Sequence, residues 1–253
     1  MAKCHIGLSG YAYRPWQGEG RFYPPDLKQK QYYEFYSERY SAVEMDGTWY
    51  RYPSESLIEG WIKQAKVGSF YSPKMHRNVT HISRLKEDCY DGAKFFLKRI
   101  RPVAEAGLLG SILIQLPPNM KVQPERLDAF LTSLPTSTGG LADPGGDAPL
   151  RYAMEFRHES WNTIDIEGIL KRHGVAWVAA DTDEVAAQKR ATAQHVHARL
   201  RKSDYSAKEL STWADYFVNQ VNDGRDCFVY LKHEDDGSPW IWADRLLELI
   251  GRP

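Results

Sequence analysis

Eight short apolar runs recur along the chain, at intervals averaging roughly thirty residues, the period of a strand–helix unit. They are Ile6–Gly10, Ala42–Tyr50, Phe70–His76, Ser111–Pro118, Arg151–His158, Val175–Asp183, His195–Arg201 and Cys227–Glu234. Most intervals between them carry a helical pattern. Eight strands alternating with helices predict an α/β fold of the TIM-like (β/α)8 barrel type. The length of 253 residues is that of one such barrel, so a single domain over residues 1–253 is expected.

The helices are read from periodicity and end signals. Leu27 to Tyr40 is expected to be amphipathic, with Tyr32, Tyr33, Phe35 and Tyr36 on it. Ser54 is an N-cap candidate with Glu55 in the first turn. Asp88 to Ala106 is helical, with Pro102 expected to kink or split it. Pro124 to Leu134, Thr163 to His173, Ser206 to Asn222 and Ile241 to Ile250 complete the set, with Gly174 and Gly224 as stops. Glu184 to Gln194 is weakly patterned, so the helix after the sixth strand should be short or missing. Ser137 to Pro149, rich in glycine and small residues, reads as a mobile loop on the N-terminal side of the barrel.

Charge narrows the partners. Lys plus Arg equals Asp plus Glu at 33 each, so no bulk field exists to hold duplex nucleic acid or an anionic membrane. Cys4, Cys89 and Cys227 are far apart and form no CxxC, which argues for reduced thiols and against a structural zinc site. The first residues lead directly into a strand with no signal-peptide pattern, and no apolar run is long enough to span a bilayer. A cytoplasmic location is expected. No G-x-G-x-x-G or Walker A sequence occurs, and no cofactor is called for.

In a barrel, chemistry is expected at the C-terminal strand ends. Residues two apart on a strand share a face, so Glu44 pairs with Asp46, Glu155 with Arg157, Arg199 with Arg201, and Lys232 with Glu234, while His233 points away from Lys232. Charges on top of apolar strands are hard to explain as packing, although mutual ion pairs such as Glu155 with Arg157 or Arg199 would account for some of them. Glu44 and Glu155 are the candidate acid–base groups, and Lys74 a candidate nucleophile, proton carrier or anion contact. Arg157, Arg199 and Arg201 offer planar forks to a phosphate or carboxylate. Gln115, His158, Asp181, Lys232 and His233 are further ligand contacts at strand ends. Tyr11, Tyr13 and Trp16, on the loop leaving the first strand, should wall the same site. His195-x-His197 has metal-ligand spacing, but it lies low on its strand and reads as core histidines.

Five segments carry a resemblance over nearly the whole chain. They are Gly7-Leu8-Ser9-Gly10-Tyr11-x-Tyr13-x-x-Trp16, Phe22-Tyr23-Pro24, Val43 through Tyr50, Gln115-Leu116-Pro117-Pro118 and Glu155-Phe156-Arg157-His158-x-Ser160-Trp161. With Thr80-His81, Asp181, Trp213-Ala214 and Val229 through Glu234, the chain resembles the YecE-like family, catalogued as domain of unknown function 72. The resemblance implies a TIM-barrel-like fold and no established activity. Leu8, Tyr11, Asp46 and Arg201 depart from the family's usual residues; the departures make the pocket more charged.

Three functional readings follow. The first is an enzyme or binding barrel for a phosphorylated or otherwise anionic small molecule. The second is a divalent-metal hydrolase or isomerase using Glu44, Glu155, Asp181 and His233. The third is a single-stranded nucleic-acid module stacking bases on Tyr11, Tyr13 and Trp16; net neutrality counts against it.

Overall fold

The computed structural model of the protein describes residues 1–141, 146–232 and 238–251. Its strands are β1 (Cys4–Ser9), β2 (Ala42–Met45), β3 (Phe70–Pro73), β4 (Ile112–Gln115), β5 (Tyr152–Glu155), β6 (Ala176–Trp177), β7 (Ala179–Ala180), β8 (His195–Leu200) and β9 (Asp226–Leu231). These strands pair in parallel, in one sheet ordered β3-β2-β1-β9-β8-β7 and another ordered β4-β5-β6.

Two seams relate the sheets. At the first, parallel bridges Tyr71–Leu109 and Lys74–Leu113 tie the β3 segment to the β4 segment. Met75 adds a backbone hydrogen bond to the Leu113 carbonyl at 2.8 Å. At the second, β6 and β7 are halves of one extended segment. Val178, between them, donates back to Met154 of β5, while Asp181 donates forward to Arg199 of β8. The sixth strand expected over Val175–Asp183 is thus two short halves, each bonded to a different neighbour. The result is a TIM-like (β/α)8 arrangement.

The helices are α1 (Tyr32–Ser37), α2 (Gly47–Tyr50), α3 (Glu55–Gln64), α4 (Tyr90–Glu105), α5 (Pro124–Ser133), α6 (Ile164–His173), α7 (Ala207–Asn222) and α8 (Pro239–Ile250). Their ends follow the local chemistry. Ser54 Oγ accepts from the Leu57 N–H at 3.2 Å and caps α3. Ser206 and Glu209 form a capping box on α7. Gly174, at φ 62°, closes α6 in the left-handed region. None of the described helices is long and apolar enough to cross a membrane.

Two expectations need correction. The helix over Leu27–Tyr40 shrinks to α1, preceded by a 3-10 turn at Gln29–Gln31, because its aromatics serve packing: Tyr32 stacks on Tyr23 at 4.0 Å. α4 runs through Pro102 as one element; the proline sits near its end and removes a single intrahelical bond. Of the Ser137–Pro149 loop, residues 142–145 lie outside the described residues; at its described ends Thr138 N–H donates to the Ala148 carbonyl at 2.8 Å. Residues 184–194 form no helix, so β7 leads directly to β8 through an irregular connection.

Strand parity divides the interior. Ile6, Leu8, Val43, Tyr71, Ile112, Met154, Trp177, Ala179, Val196 and Val229 face the helices in one large core. The opposite parity fills the barrel, with Leu113, Ala153, Ala176 and Val178 in one cluster and Ala42, Phe228 and Tyr230 in another. Toward the N-terminal ends the filling is aromatic: His5 stacks on Phe228 at 5.5 Å and tilts against Phe70 at 4.4 Å. Burial, the largest cause, holds His5 at about 4 and His195 at about 3, so both are neutral there. Going up the barrel, the same inward parity turns polar and then charged.

Candidate active site at the barrel mouth

The inward residues at the strand tops form one bonded network. Arg199, on β8 and 1 % exposed, lies at its centre. Its Nη2 and Nε donate to Glu44 Oε1 at 2.8 and 3.2 Å, and its Nη1 donates to Glu155 Oε2 at 2.6 Å. Arg157 Nε donates to the other Glu155 oxygen at 2.5 Å. One buried guanidinium therefore bridges two buried carboxylates from the non-neighbouring strands β2 and β5. Such a triad survives burial only because each charge is met by another in good geometry.

Electrostatics follow the contacts. Burial alone would raise both carboxylates. For Glu44 the Arg199 guanidinium, and then the His197 and Ser9 contacts, outweigh burial and hold it well below the usual range. For Glu155, Arg199, Arg157 and Arg201 bring it down to about 2. Burial would lower Arg199, but Glu44, Glu155 and Asp46 push it above its ordinary value. Both glutamates are therefore fixed as anions and surrounded by donors.

Ser9, at the end of β1, joins the second acidic group. Its hydroxyl is 2.6 Å from Glu44 Oε1 and 2.8 Å from Asp46 Oδ2. A hydroxyl has one proton, so it can donate to only one of these oxygens at a time. Lys232 Nζ donates to the same Asp46 oxygen at 3.2 Å. Asp46 Oδ1 is buried without a hydrogen-bond partner among the described residues, 3.8 Å from Arg199 Nη2.

Lys74 follows β3 and differs from the rest. Among the described residues, no carboxylate lies within ion-pair distance of its ammonium, which sits 5.1 Å over the Trp49 ring. Burial, then Arg199, lowers it to about 8, and the more distant Asp46, Glu44 and Glu155 offset this only in part.

Other expected contacts go elsewhere. Asp181 does not join the network, because it shares the outward parity of Trp177 and Ala179. Its carboxylate accepts from Tyr205 Oη at 2.6 Å, the Arg201 N–H at 2.9 Å and Trp213 Nε1 at 3.2 Å, on the α7 side. Trp16 is not a wall of the mouth; it is buried between Tyr13, Phe22 and Trp240. Tyr11 packs edge-on to Tyr33 and still lines the cavity beside Glu44 and Asp46. Tyr13 alone of the three keeps a large exposed face, at 41 %, and burial with Asp46 and Glu44 raises its phenol. It folds back over Gly10, whose φ of 84° turns the chain as it leaves β1. His158 Nδ1 accepts from the Ser160 N–H at 3.1 Å and caps a 3-10 turn. Gln115 stands opposite Glu155 in register, with its side-chain amide unbonded among the described residues. His233 and Glu234 lie outside the described residues.

A cavity of about 560 Å³ opens beside Glu44 and Asp46, walled by Tyr11, Tyr13, Tyr52, Leu57 and Trp61. It is largely apolar, a setting suited to the uncharged part of a ligand. Among the described residues no three His, Cys, Asp or Glu side chains cluster as a metal site.

Sequence reasoning missed the lower tier. His197 was read as core, yet its Nε2 lies 3.3 Å from Glu44 Oε2 and its Nδ1 2.7 Å from Ser111 Oγ. Below, Tyr230 Oη donates to Ser72 Oγ at 2.6 Å. The available signal was parity: His197 is two residues from Arg199 and must share its face.

Comparison with known proteins follows the same outline. A family model described as "Protein of unknown function DUF72" matches residues 5–253. The UPF0759 protein YunF of Bacillus subtilis is 23% identical, over 97% of this chain and 94% of its own length. Among solved structures, a DUF72 family protein from Thermotoga maritima aligns over 98% of each chain with TM-score 0.80 at 22% identity. Another from Enterococcus faecalis aligns over 98% of this chain and 95% of its own with TM-score 0.76 at 14% identity. At such identities the two structures speak for the fold.

Proposed function

Because the chain belongs to the DUF72 family, which is described as being of unknown function, we propose its role from the mouth itself: it binds and acts on an anionic small molecule at the C-terminal strand ends. The observation that carries this reading is Lys74, a half-buried ammonium with no carboxylate paired to it among the described residues. A buried cation without a counter-ion is costly, and an anionic ligand would supply one. Arg157 stands on the same side, one nitrogen engaged by Glu155 and the rest of its fork unbonded in the described structure.

The division of labour follows from the electrostatics. A proton carrier works best near the working pH. Glu155, at about 2, is a poor base, and Glu44 is held low as well. Lys74, at about 8, is the better proton-transfer group. In this reading Glu44, Glu155 and Arg199 set a rigid field around Lys74, and Arg157 orients the anion.

The test compares Arg157→Ala with Arg172→Ala, whose arginine pairs with Asp128 on the surface. Calorimetric titration with phosphate-bearing small molecules should show a roughly ten- to hundredfold loss for the first and little change for the second. Arg157→Lys should lose much of the affinity as well, for want of the planar fork. Equal affinity in wild type and Arg157→Ala would reduce Arg157 to a structural partner of Glu155 and overturn the reading.

A further inference from the structure

The loop between β3 and α4 contains the most unusual backbone at the mouth. Asn78–Ile82 forms a π-helical turn, in which Ser83 donates its N–H to the Asn78 carbonyl at 2.8 Å. The two residues after Ser83, Arg84 and Leu85, have φ of 51° and 61°. Neither is glycine, so each occupies a left-handed conformation that its Cβ disfavours. Leu85 is anchored in the core, and Arg84 reaches across to Asn119 Oδ1, at 3.2 Å, in the loop leaving β4. π-turns and left-handed non-glycine residues concentrate where a side chain must be held for function.

The same turn sets His81. Trp49 Nε1 donates to His81 Nδ1 at 3.4 Å, and Thr80 Oγ1 lies 2.9 Å from the same nitrogen. An indole N–H can only donate, so Nδ1 is bare and the ring proton resides on Nε2. Burial, and then the charges of Lys74, Arg157 and Arg84, hold His81 below its usual range, so the ring stays neutral with that N–H available. The Lys74 ammonium lies over the ring of the same Trp49, 5.1 Å from its centroid. Among the described residues Arg84 bonds to a neutral amide and to no carboxylate.

We propose that Lys74, His81, Arg84 and Arg157 form a subsite for the phosphate group of a phosphate monoester. The inference rests on the anionic reading above and specifies the chemistry of its anion. Three cations and one neutral N–H, from the segments that follow β3 and β5, suit a dianion with three terminal oxygens. A carboxylate, with two oxygens and one charge, would leave donors unused. Trp49 is a positioning residue: it fixes which nitrogen of His81 carries the proton.

The experiment titrates inorganic phosphate, with acetate as the comparator, into the full chain by calorimetry. Wild type should bind phosphate and prefer it to acetate. Arg84→Ala should weaken phosphate by roughly ten- to hundredfold. His81→Leu should also weaken it, and His81→Gln, whose amide nitrogen reaches close to the Nε2 position, should recover much of the loss. Nitrogen-15 indole spectra of wild type, with the Trp49 signal assigned through Trp49→Phe, give a second readout that needs no folded Arg84 variant. Phosphate should move that signal. An unmoved Trp49 signal, or Arg84→Ala binding phosphate as wild type does, would overturn the subsite. If Arg157→Ala still abolished binding in that case, the general anionic reading would stand; if wild type bound no anion, both would fall.

Discussion

Glu155 and Asp181 are both buried carboxylates at the tops of barrel strands, and the protein treats them in opposite ways. Glu155 faces inward, meets Arg199 and Arg157, and is held at about 2. Asp181 faces the helices and meets a phenol, an indole and a backbone N–H; burial outweighs these neutral donors and raises it. Burial is common to both, so the difference comes from the charge of the partners. An ionised, charge-compensated carboxylate beside an open cavity can shape a reacting field. A neutral-donor cradle against α7 is what a packing residue needs.

The largest test of this contrast removes the central cation. Arg199→Met should cost about 3–5 kcal/mol, because it leaves two buried anions uncompensated. Arg39→Met, at the exposed pair with Asp244, should cost under about 1 kcal/mol. Urea unfolding of both variants measures the difference, and similar losses would erase the distinction between mouth and surface.

The carboxylates themselves give the next effect, about 2 kcal/mol for Glu155→Gln and about 1 kcal/mol for Asp181→Asn. Their pH dependences should be mirror images. The folded value of Glu155 lies below its unfolded 4.5, so its stabilisation is complete above 4.5 and disappears as pH falls through about 2. The deficit of Glu155→Gln should therefore shrink on acidification. The folded value of Asp181 lies above 3.8, so its extra stability is complete below 3.8 and fades as pH rises through the folded value. The deficit of Asp181→Asn should shrink on raising pH. Unfolding at a series of acidic pH values checks this, and parallel slopes would contradict the parity assignment.

The smallest effect sharpens the mouth. Lys74 drops from 10.5 to about 8 on folding, so between those values the unfolded chain binds more protons and stability rises with pH. Lys74→Met removes that rise. At pH 7 the variant should match or slightly exceed wild type in melting temperature, and its advantage should vanish as pH climbs from about 8 toward 10.5. A variant less stable than wild type by more than about 1 kcal/mol at pH 7 would point to an ion pair holding Lys74.

Much of this was legible in the chain. Apolar runs at a regular interval set the strand count, and the inward pairing of Glu155 with Arg157 followed from the two-residue period. The outward face of Asp181 was present in the same count, since Trp177 and Ala179 precede it on the helix-facing side. It was overlooked because a charge at a strand end suggests a site before its parity is counted. Trp16 misled in a similar way: a loop aromatic beside a mouth is as readily a core residue when another element, here Trp240 of α8, covers it.

The amino-acid order by itself determined the alternation, the caps at Ser54, Thr163 and Ser206, and which side chains share a face, because these depend on neighbours within a few residues. The tertiary structure alone decided that Arg199 bridges Glu44 and Glu155, that the sixth strand divides its bonds between β5 and β8, and that Arg84 is turned by a left-handed backbone toward Asn119. Those outcomes depend on which distant strands become adjacent when the barrel assembles. A charged side chain's state is then set by whatever group stands a few ångströms away, often more than a hundred residues along the chain.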